Sequence, residues 1–316
     1  MSNTPIKKQS IYIRISHWVG AILILGYLFW RIDLPQFYIS IQQSNLSLYI
    51  PLMILFIVIW FLIESQNLTA VFNHFEHKIP YIDVLYIRGI TYLLMIINYN
   101  LGVAGIVLYL NQAKGITLMR ASSIMLFYMY METTSLSLMV LLGCLFTSES
   151  SAIIDKILFL SAAILIGVHC GILIYRNLPD KKIFQKIKNL TLLQPFKETG
   201  IKSYLILISY RGTYFSTFIL FFYLALKTFH IDIPFLTLAA FVPLAFFIGN
   251  LPITPFGLGT IQAAMLFFFK DYSTEANILA FSITYSITLL LFRAPIGLYY
   301  IKKRGIKGIR EITKNI

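Results

Sequence analysis

Apolar runs of bilayer-spanning length recur along this chain from near its first residue almost to its last, and that recurrence limits the folds open to it. About 20 apolar residues cross a hydrocarbon core of about 30 Å as a helix. Inside lipid the backbone must satisfy its own polar groups, which leaves helices or closed barrels. The runs are continuous and do not alternate, so helices are expected and barrel strands are not. Composition agrees: 58% of the 316 residues are hydrophobic and only 12% are charged, about half the charged share of soluble domains. The expectation is an all-α polytopic membrane protein, one integral membrane domain over 1–316 with no room for a soluble catalytic domain.

Six full spans are predicted, at roughly 12–31, 46–63, 120–145, 153–175, 204–229 and 276–299. The basic start (Lys7, Lys8, Arg14) and the apolar stretch from Trp18 to Trp30 resemble a secretory signal, but Arg31 to Pro35 offer no small-residue cleavage pattern. A retained signal-anchor span is expected instead, with Trp18 and Trp30 towards its interfaces. Cys144 and Cys170 lie in apolar runs at opposite depths, which argues against a disulfide or a metal pair. The net charge of +13 comes from lysines in loops beside spans. That placement is the pattern of topology signals and anionic-lipid contact, not of nucleic-acid binding.

Two further apolar regions, 84–111 and 234–270, are broken in the middle, giving eight hydrophobic segments in all. The first break reads Ile97-Asn98-Tyr99-Asn100-Leu101-Gly102; the second runs from Gly249-Asn250-Leu251-Pro252 through Thr254-Pro255-Phe256-Gly257-Leu258-Gly259-Thr260. Asn, Pro and Gly at this density interrupt a helix. Loop charge decides between a crossing and a hairpin. As single spans they would put Arg176, Lys181, Lys182, Lys186, Lys188, Lys197 and Lys202 outside, against the positive-inside bias. As re-entrant hairpins they place twenty of the 26 Lys and Arg inside, leaving Arg31, Lys156, Lys227 and Lys270 outside and Arg211 and Arg293 within spans. Two hairpins of opposite direction follow, with both termini and the basic loop 176–203 cytoplasmic and the chain in the plasma (inner) membrane. Inverted-repeat transporters gather broken helices around a midplane substrate in this way. The alternative is a pair of kinked helices that merely pack the bundle.

Three charges fall inside predicted spans: Glu132, Arg211 and Arg293. Each costs at least about 2.5–3.5 kcal/mol near a helix centre unless it finds a partner or water. They can form a buried Arg–Glu–Arg set that fixes helix register. Or the two arginines share one carboxylate, leaving about one positive charge for an anionic ligand, whose phosphate oxygens suit a guanidinium fork. Arg88 and Arg120 flank the first hairpin and are expected to snorkel. His74, Glu76 and His77 lie together without an evident third metal ligand, so no metal site is assigned. No nucleophile elbow, P-loop or HExxH occurs. The stretch 177–203, basic with interspersed Ile, Phe and Leu, reads as a surface-lying amphipathic segment or a linker.

The run Asn250-Leu251-Pro252-Ile253-Thr254-Pro255-Phe256-Gly257-Leu258-Gly259-Thr260-Ile261-Gln262 resembles the signature of the lysylphosphatidylglycerol synthase transmembrane, flippase-like family. Phe292-Arg293-Ala294-Pro295-Ile296-Gly297 is similar to that family's arginine before a Pro/Gly-containing last helix. The likeness covers roughly 84–300, with departures. Gln262 stands for an acidic residue, Phe256 for a glycine and Thr133 for an arginine, and the first hairpin lacks proline.

The resemblance implies a stand-alone member without the aminoacyltransferase domain, one that binds an anionic phospholipid or lipid-linked phosphate precursor and moves it between leaflets. Lipid-phosphate contacts fall to Arg211 and Arg293, with Glu132 balancing charge or engaging a cationic headgroup. Pro252, Pro255, Gly257 and Gly259 shape the cavity, and Asn250, Thr254, Gln262, Asn98 and Asn100 offer polar contacts. No cofactor is expected. The expected partners are the lipid itself and a second copy or a synthase. Competing readings are an enzyme acting on polyprenyl-phosphate sugars and a non-transporting subunit of a lipid or polysaccharide assembly complex.

Overall fold

The computed structural model describes residues 19, 21–76, 79–97, 99–147, 152–179, 181–250, 254 and 257–304. Among these every regular element is a helix. In chain order they are α1 (Ala21–Arg31), α2 (Leu34–Gln43), α3 (Leu46–Phe75), α4 (Tyr81–Ile97), α5 (Tyr99–Lys114), α6 (Leu118–Phe146) and α7 (Ala152–Arg176). The short α8 (Lys182–Lys188) and α9 (Gln194–Glu198) follow, then α10 (Ile201–Lys227), α11 (Phe235–Asn250), α12 (Thr260–Phe269) and α13 (Glu275–Arg304). Among the described helices α3, α6, α7, α10 and α13 are long and apolar enough to cross a bilayer, and the α1–α2 pair, bent by 92°, makes a sixth span if taken as one. The chain is a polytopic all-α membrane protein.

Local chemistry sets where helices start. Asp33 accepts a hydrogen bond from Gln36 N at the head of α2, Asn45 from Leu48 N at α3, and Thr117 from Arg120 N at α6. Each satisfies one orphan donor of a first turn.

Both broken regions are antiparallel helical hairpins. In α4–α5, a Cβ on Gly102 would meet Met95 and one on Gly105 would meet Leu94 and Thr91. In α11–α12, Phe241 stacks on Phe268 at 4.9 Å and Gly249 abuts Ile261. The first hairpin opens and closes at one end of the bundle, where Lys114 reaches Asp83 at 2.5 Å and Arg120 holds Glu76 at 2.7 Å. The second does so at the other end, where Thr147 meets Thr237 at 3.2 Å and Asn277 donates to Phe229 O at 2.9 Å.

Helix α13 runs past both hairpins. Its Ser286 meets Gln262 near the second tip, while Arg293 lies over Tyr92, Gly297 against Leu93 and Tyr300 against Gly89 of the first. Both hairpins therefore pack on α13, one beyond the other along its length.

Two expectations need correction. The span placed at 46–63 continues to Phe75, because Leu68, Val71 and Phe72 keep the i, i+3, i+4 apolar face going and are buried. Glu64 and Asn67 thus lie inside a helix and not in a loop. The first predicted span begins outside the described residues, and its described part, α1, ends at the bend before Leu34. The segment 177–203 is no loose linker. It folds as α8, a 3₁₀ turn and α9, with Pro195, Phe196 and Thr199 buried and Arg176 donating to Thr199 O at 3.1 Å.

Close approach explains one glycine in particular. A Cβ at Gly143 of α6 would lie 2.4 Å from the Ala240 nitrogen of α11, backbone that cannot yield. Gly143→Leu is expected to destabilise by about 1–3 kcal/mol or more through overpacking. Gly171→Leu, where nothing lies within 4 Å, should leave thermal unfolding in detergent unchanged.

Candidate functional site

Among the described residues the charges within the bundle are a small set of buried and half-buried side chains on five helices, and most of them are paired. Arg211 of α10, 2% exposed, lies 2.8 Å from Glu132 of α6 through Nη2 and donates from Nη1 to the Tyr128 hydroxyl at 2.6 Å. Its guanidinium also covers the rings of Tyr128 (4.6 Å) and Tyr214 (4.3 Å). Arg88 of α4 forms an ion pair with Glu64 of α3, the two being 3% and 4% exposed. Tyr92 donates to the second oxygen of Glu64 at 3.1 Å. Both arginines thus have a carboxylate and an aromatic bed, which is what a charge removed from water requires.

Arg293 of α13 is different. No carboxylate pairs with it among the described residues. Its guanidinium rests on Trp60 of α3 at 4.4 Å and Tyr92 of α4 at 4.8 Å from the ring centroids. Trp60 in turn stacks on Tyr214 at 5.3 Å and meets Phe246 of α11 edge-on at 6.0 Å. The charges are therefore strung on a row of rings: Arg211, Tyr214, Trp60, Arg293, Tyr92 and then the Glu64–Arg88 pair. Three arginines against two carboxylates leave one positive charge, and it resides on Arg293.

Arg293 Nε, Trp60 Nε1 and the Tyr285 hydroxyl are buried without a hydrogen-bond partner among the described residues. A buried donor without an acceptor costs about 1–3 kcal/mol. Here a donor of the tryptophan and one of the guanidinium resting on it both lack one, so the site offers donors in search of acceptors.

The structure separates the sequence candidates. Glu132 and Arg211 come together. Arg293 does not share that carboxylate, so the expected Arg–Glu–Arg set is not formed. Arg88 does not snorkel. It faces inward because Glu64, in the unexpected extension of α3, supplies its counter-charge. Arg120 is likewise tied down, with Glu76 at 2.7 Å and a two-point contact to Glu198 at 2.9 and 3.0 Å. Glu76 is thereby engaged, and His77 lies outside the described residues.

In the second hairpin the polar side chains bind one another. Gln262 is fully buried, accepts from Gly259 N at 2.7 Å and donates to Ser286 Oγ at 2.9 Å, capping α12 onto α13. Thr254 meets Thr260 at 3.2 Å. Gly257 and Gly259 take φ of +68° and +87°, and a Cβ on Gly257 would lie 2.5 Å from the Gly249 carbonyl oxygen. Pro252, Pro255, Asn98 and the Asn250 side chain lie outside the described residues; Asn100 is exposed on α5.

Sequence reasoning missed Glu64, Trp60 and Tyr92. Glu64 was visible as a lone acid one residue beyond an assumed helix end. Aromatic residues in an apolar run carry no mark that distinguishes a cation bed from core.

Residues 13–297 match the family described as lysylphosphatidylglycerol synthase TM region. No curated protein sequence matches the chain.

Breaking a buried pair strands its partner. Glu64→Gln, which leaves Arg88 uncompensated, should cost about 3–5 kcal/mol of stability. The double replacement Glu64→Met with Arg88→Met should recover most of it in denaturant unfolding. Equal losses in single and double variants would contradict the pairing argument.

Proposed function

The chain belongs to the lysylphosphatidylglycerol synthase TM region family, and from that premise we propose that it binds an anionic phospholipid or lipid-linked phosphate and moves it between leaflets. One observation carries this reading: Arg293 is a cation inside the bundle whose only partners among the described residues are ring faces. A phosphate in hydrocarbon faces a desolvation penalty that only a fixed counter-charge offsets. Cation–π contacts are worth about 0.5–2 kcal/mol, whereas hydrogen bonds to charged groups contribute about 1.5–3 kcal/mol each. A phosphate offering two oxygens can therefore draw Arg293 off its rings. Arg211, held by a carboxylate and a phenol, stays where it is and serves as frame. The phosphate role falls to Arg293, with Trp60 Nε1 as a second donor.

The hairpins support a route for the headgroup. Helix α12, ten residues long, extends about 15 Å, half of a hydrocarbon core of about 30 Å. In this reading the two hairpins are re-entrant and enter from opposite faces, the short α12 being the feature that favours it. Irregular backbone at that depth belongs beside a wet, protein-lined path. In this reading the end carrying 176–203 is the cytoplasmic one, as its lysines and arginines favour, with both termini on that side of the plasma membrane. No nucleotide-binding loop occurs in the sequence, so movement is passive, ion-coupled or driven by a partner.

Mass spectrometry of lipid carried by the purified protein tests the reading. Wild type should be enriched in one anionic lipid over the bulk membrane. Arg293→Gln should lower that enrichment about tenfold or more, the loss of one charge-assisted contact. Arg293→Lys should retain part of it. Bound lipid that mirrors the membrane in all three proteins would remove Arg293 from the function and favour a structural or enzymatic role.

A further inference from the structure

At the end of the bundle where the second hairpin opens, α2 lies across the head of α13 and the turn after α10. Between them is a cavity of about 160 Å³. Its lining is polar and uncharged. Gln36, Ser40 and Gln43 come from one face of α2, Ser273 and Asn277 from the head of α13, and His230 from the turn; Phe229 is the one apolar wall residue. The spacing 36, 40, 43 is i, i+4, i+7, so the three α2 side chains point the same way. Ser40 is buried while Gln36 and Gln43 are exposed, so the stripe forms the open rim of the cavity.

The site's frame is internally bonded while its inner surface is not. Asn277 gives both amide protons away, to Phe229 O at 2.9 Å and Ser273 Oγ at 3.1 Å, which leaves its oxygen as an acceptor. His230 Nε2 donates to the Gln43 carbonyl at 3.2 Å, which leaves Nδ1 as an acceptor in the neutral ring. His230 is also the one non-glycine residue with positive φ (+56°) among the described residues, so the turn is held in a costly conformation to present it. The side-chain amides of Gln36 and Gln43 have no hydrogen-bond partner among the described residues, and each offers two donors and an acceptor.

No Lys, Arg, Asp or Glu lines the cavity. Charged residues stand near the lining in sequence, namely Asp33, Lys227, Asp232, Asp271 and Glu275, but none is part of the wall. Asp33 caps α2, Lys227 donates to the Tyr223 hydroxyl and Glu275 pairs with Arg31 at 2.6 Å. The wall itself therefore offers a charged ligand no counter-charge. A cavity of about 150 Å³ holds one six-membered ring in another protein. Free amides and ring or carbonyl acceptors suit vicinal hydroxyls, which donate and accept at adjacent atoms.

We infer that this cavity is a binding site for a neutral polyol, either a glycerol or a single hexose unit. It lies 16 residues along α13 from Arg293, about 24 Å, and it uses none of the arginine row. It is therefore a separate site from the phosphate locus. The same hydroxyl chemistry is carried by a lipid headgroup at the membrane surface or by a free sugar, and the test distinguishes the two.

The full chain, purified in a sugar-free detergent, is mixed with equal amounts of a monoglucosyl diacylglycerol and phosphatidylcholine, and retained lipid is read by native mass spectrometry. The glucosyl lipid should be retained at least tenfold over phosphatidylcholine. Gln36→Leu/Gln43→Leu, which alters two exposed side chains without intramolecular bonds, should abolish the preference while leaving thermal unfolding unchanged. Arg293→Gln should keep the preference, which separates this site's failure from that of the phosphate reading. Competition by millimolar methyl glucoside identifies free polyol as sufficient. Persistence of the preference against it identifies a lipid headgroup. Equal retention of both lipids by wild type, or an unchanged preference in the Gln36/Gln43 variant, overturns the assignment.

Discussion

A guanidinium cannot shed its proton in a low-dielectric interior, so every arginine inside this bundle must be given a counter-charge, a ring face or water. The helices are arranged around that requirement. Arg88 draws α3 and α4 together through Glu64, Arg211 draws α6 and α10 together through Glu132, and Arg293 is set where α3, α4 and α13 meet. Without the two carboxylates, three like charges would share one aromatic row. With them, a single positive charge remains among the described residues, on α13 between its contacts with the two hairpins.

The rings have a second effect. Trp60 touches Tyr214, Phe56 and Phe218 face to face and Phe246 edge-on, so one side chain couples α3, α10 and the second hairpin. Tyr92 lies under both Arg88 (5.3 Å) and Arg293 (4.8 Å) while donating to Glu64. Any movement of Arg293 is thus felt by the first hairpin through Tyr92 and by the second through Trp60 and Phe246. This is a packed contact path. Whether it couples the hairpins energetically is a matter for double-mutant cycles between Tyr92 and Phe246.

Much of the architecture was legible because membrane physics leaves few choices. Loop lysines and arginines dictated that the interrupted regions be hairpins, and the Asn, Pro and Gly positions located the turns to within a few residues of where α4–α5 and α11–α12 bend. Pairing was not legible. Glu64 looked like the first residue of a loop, since nothing in a single sequence marks how far an apolar helix runs beyond its hydrocarbon-length core. Without Glu64, Arg88 had no visible partner and snorkelling was the cheaper assumption. Gln262 looked like a ligand contact because it occupies a signature position, yet a lone polar side chain at the head of a helix can equally close its own cap, and it bonds Gly259 and Ser286.

The contrast between Arg211 and Arg293 is what gives the site direction. Both are arginines on ring faces, separated by one stacked Tyr214–Trp60 pair. Arg211 has an ionic bond and a short hydroxyl contact, so a ligand would have to replace a carboxylate, exchanging one anion for another with little gain. Arg293 has only the weaker ring contacts. A phosphate arriving there adds its charge to a site lacking one, and the total becomes neutral. With the weakly held cation on α13 and the firmly held ones to either side, Arg293 is, among the described residues, the buried position where an added anion would lower the electrostatic energy of the protein itself.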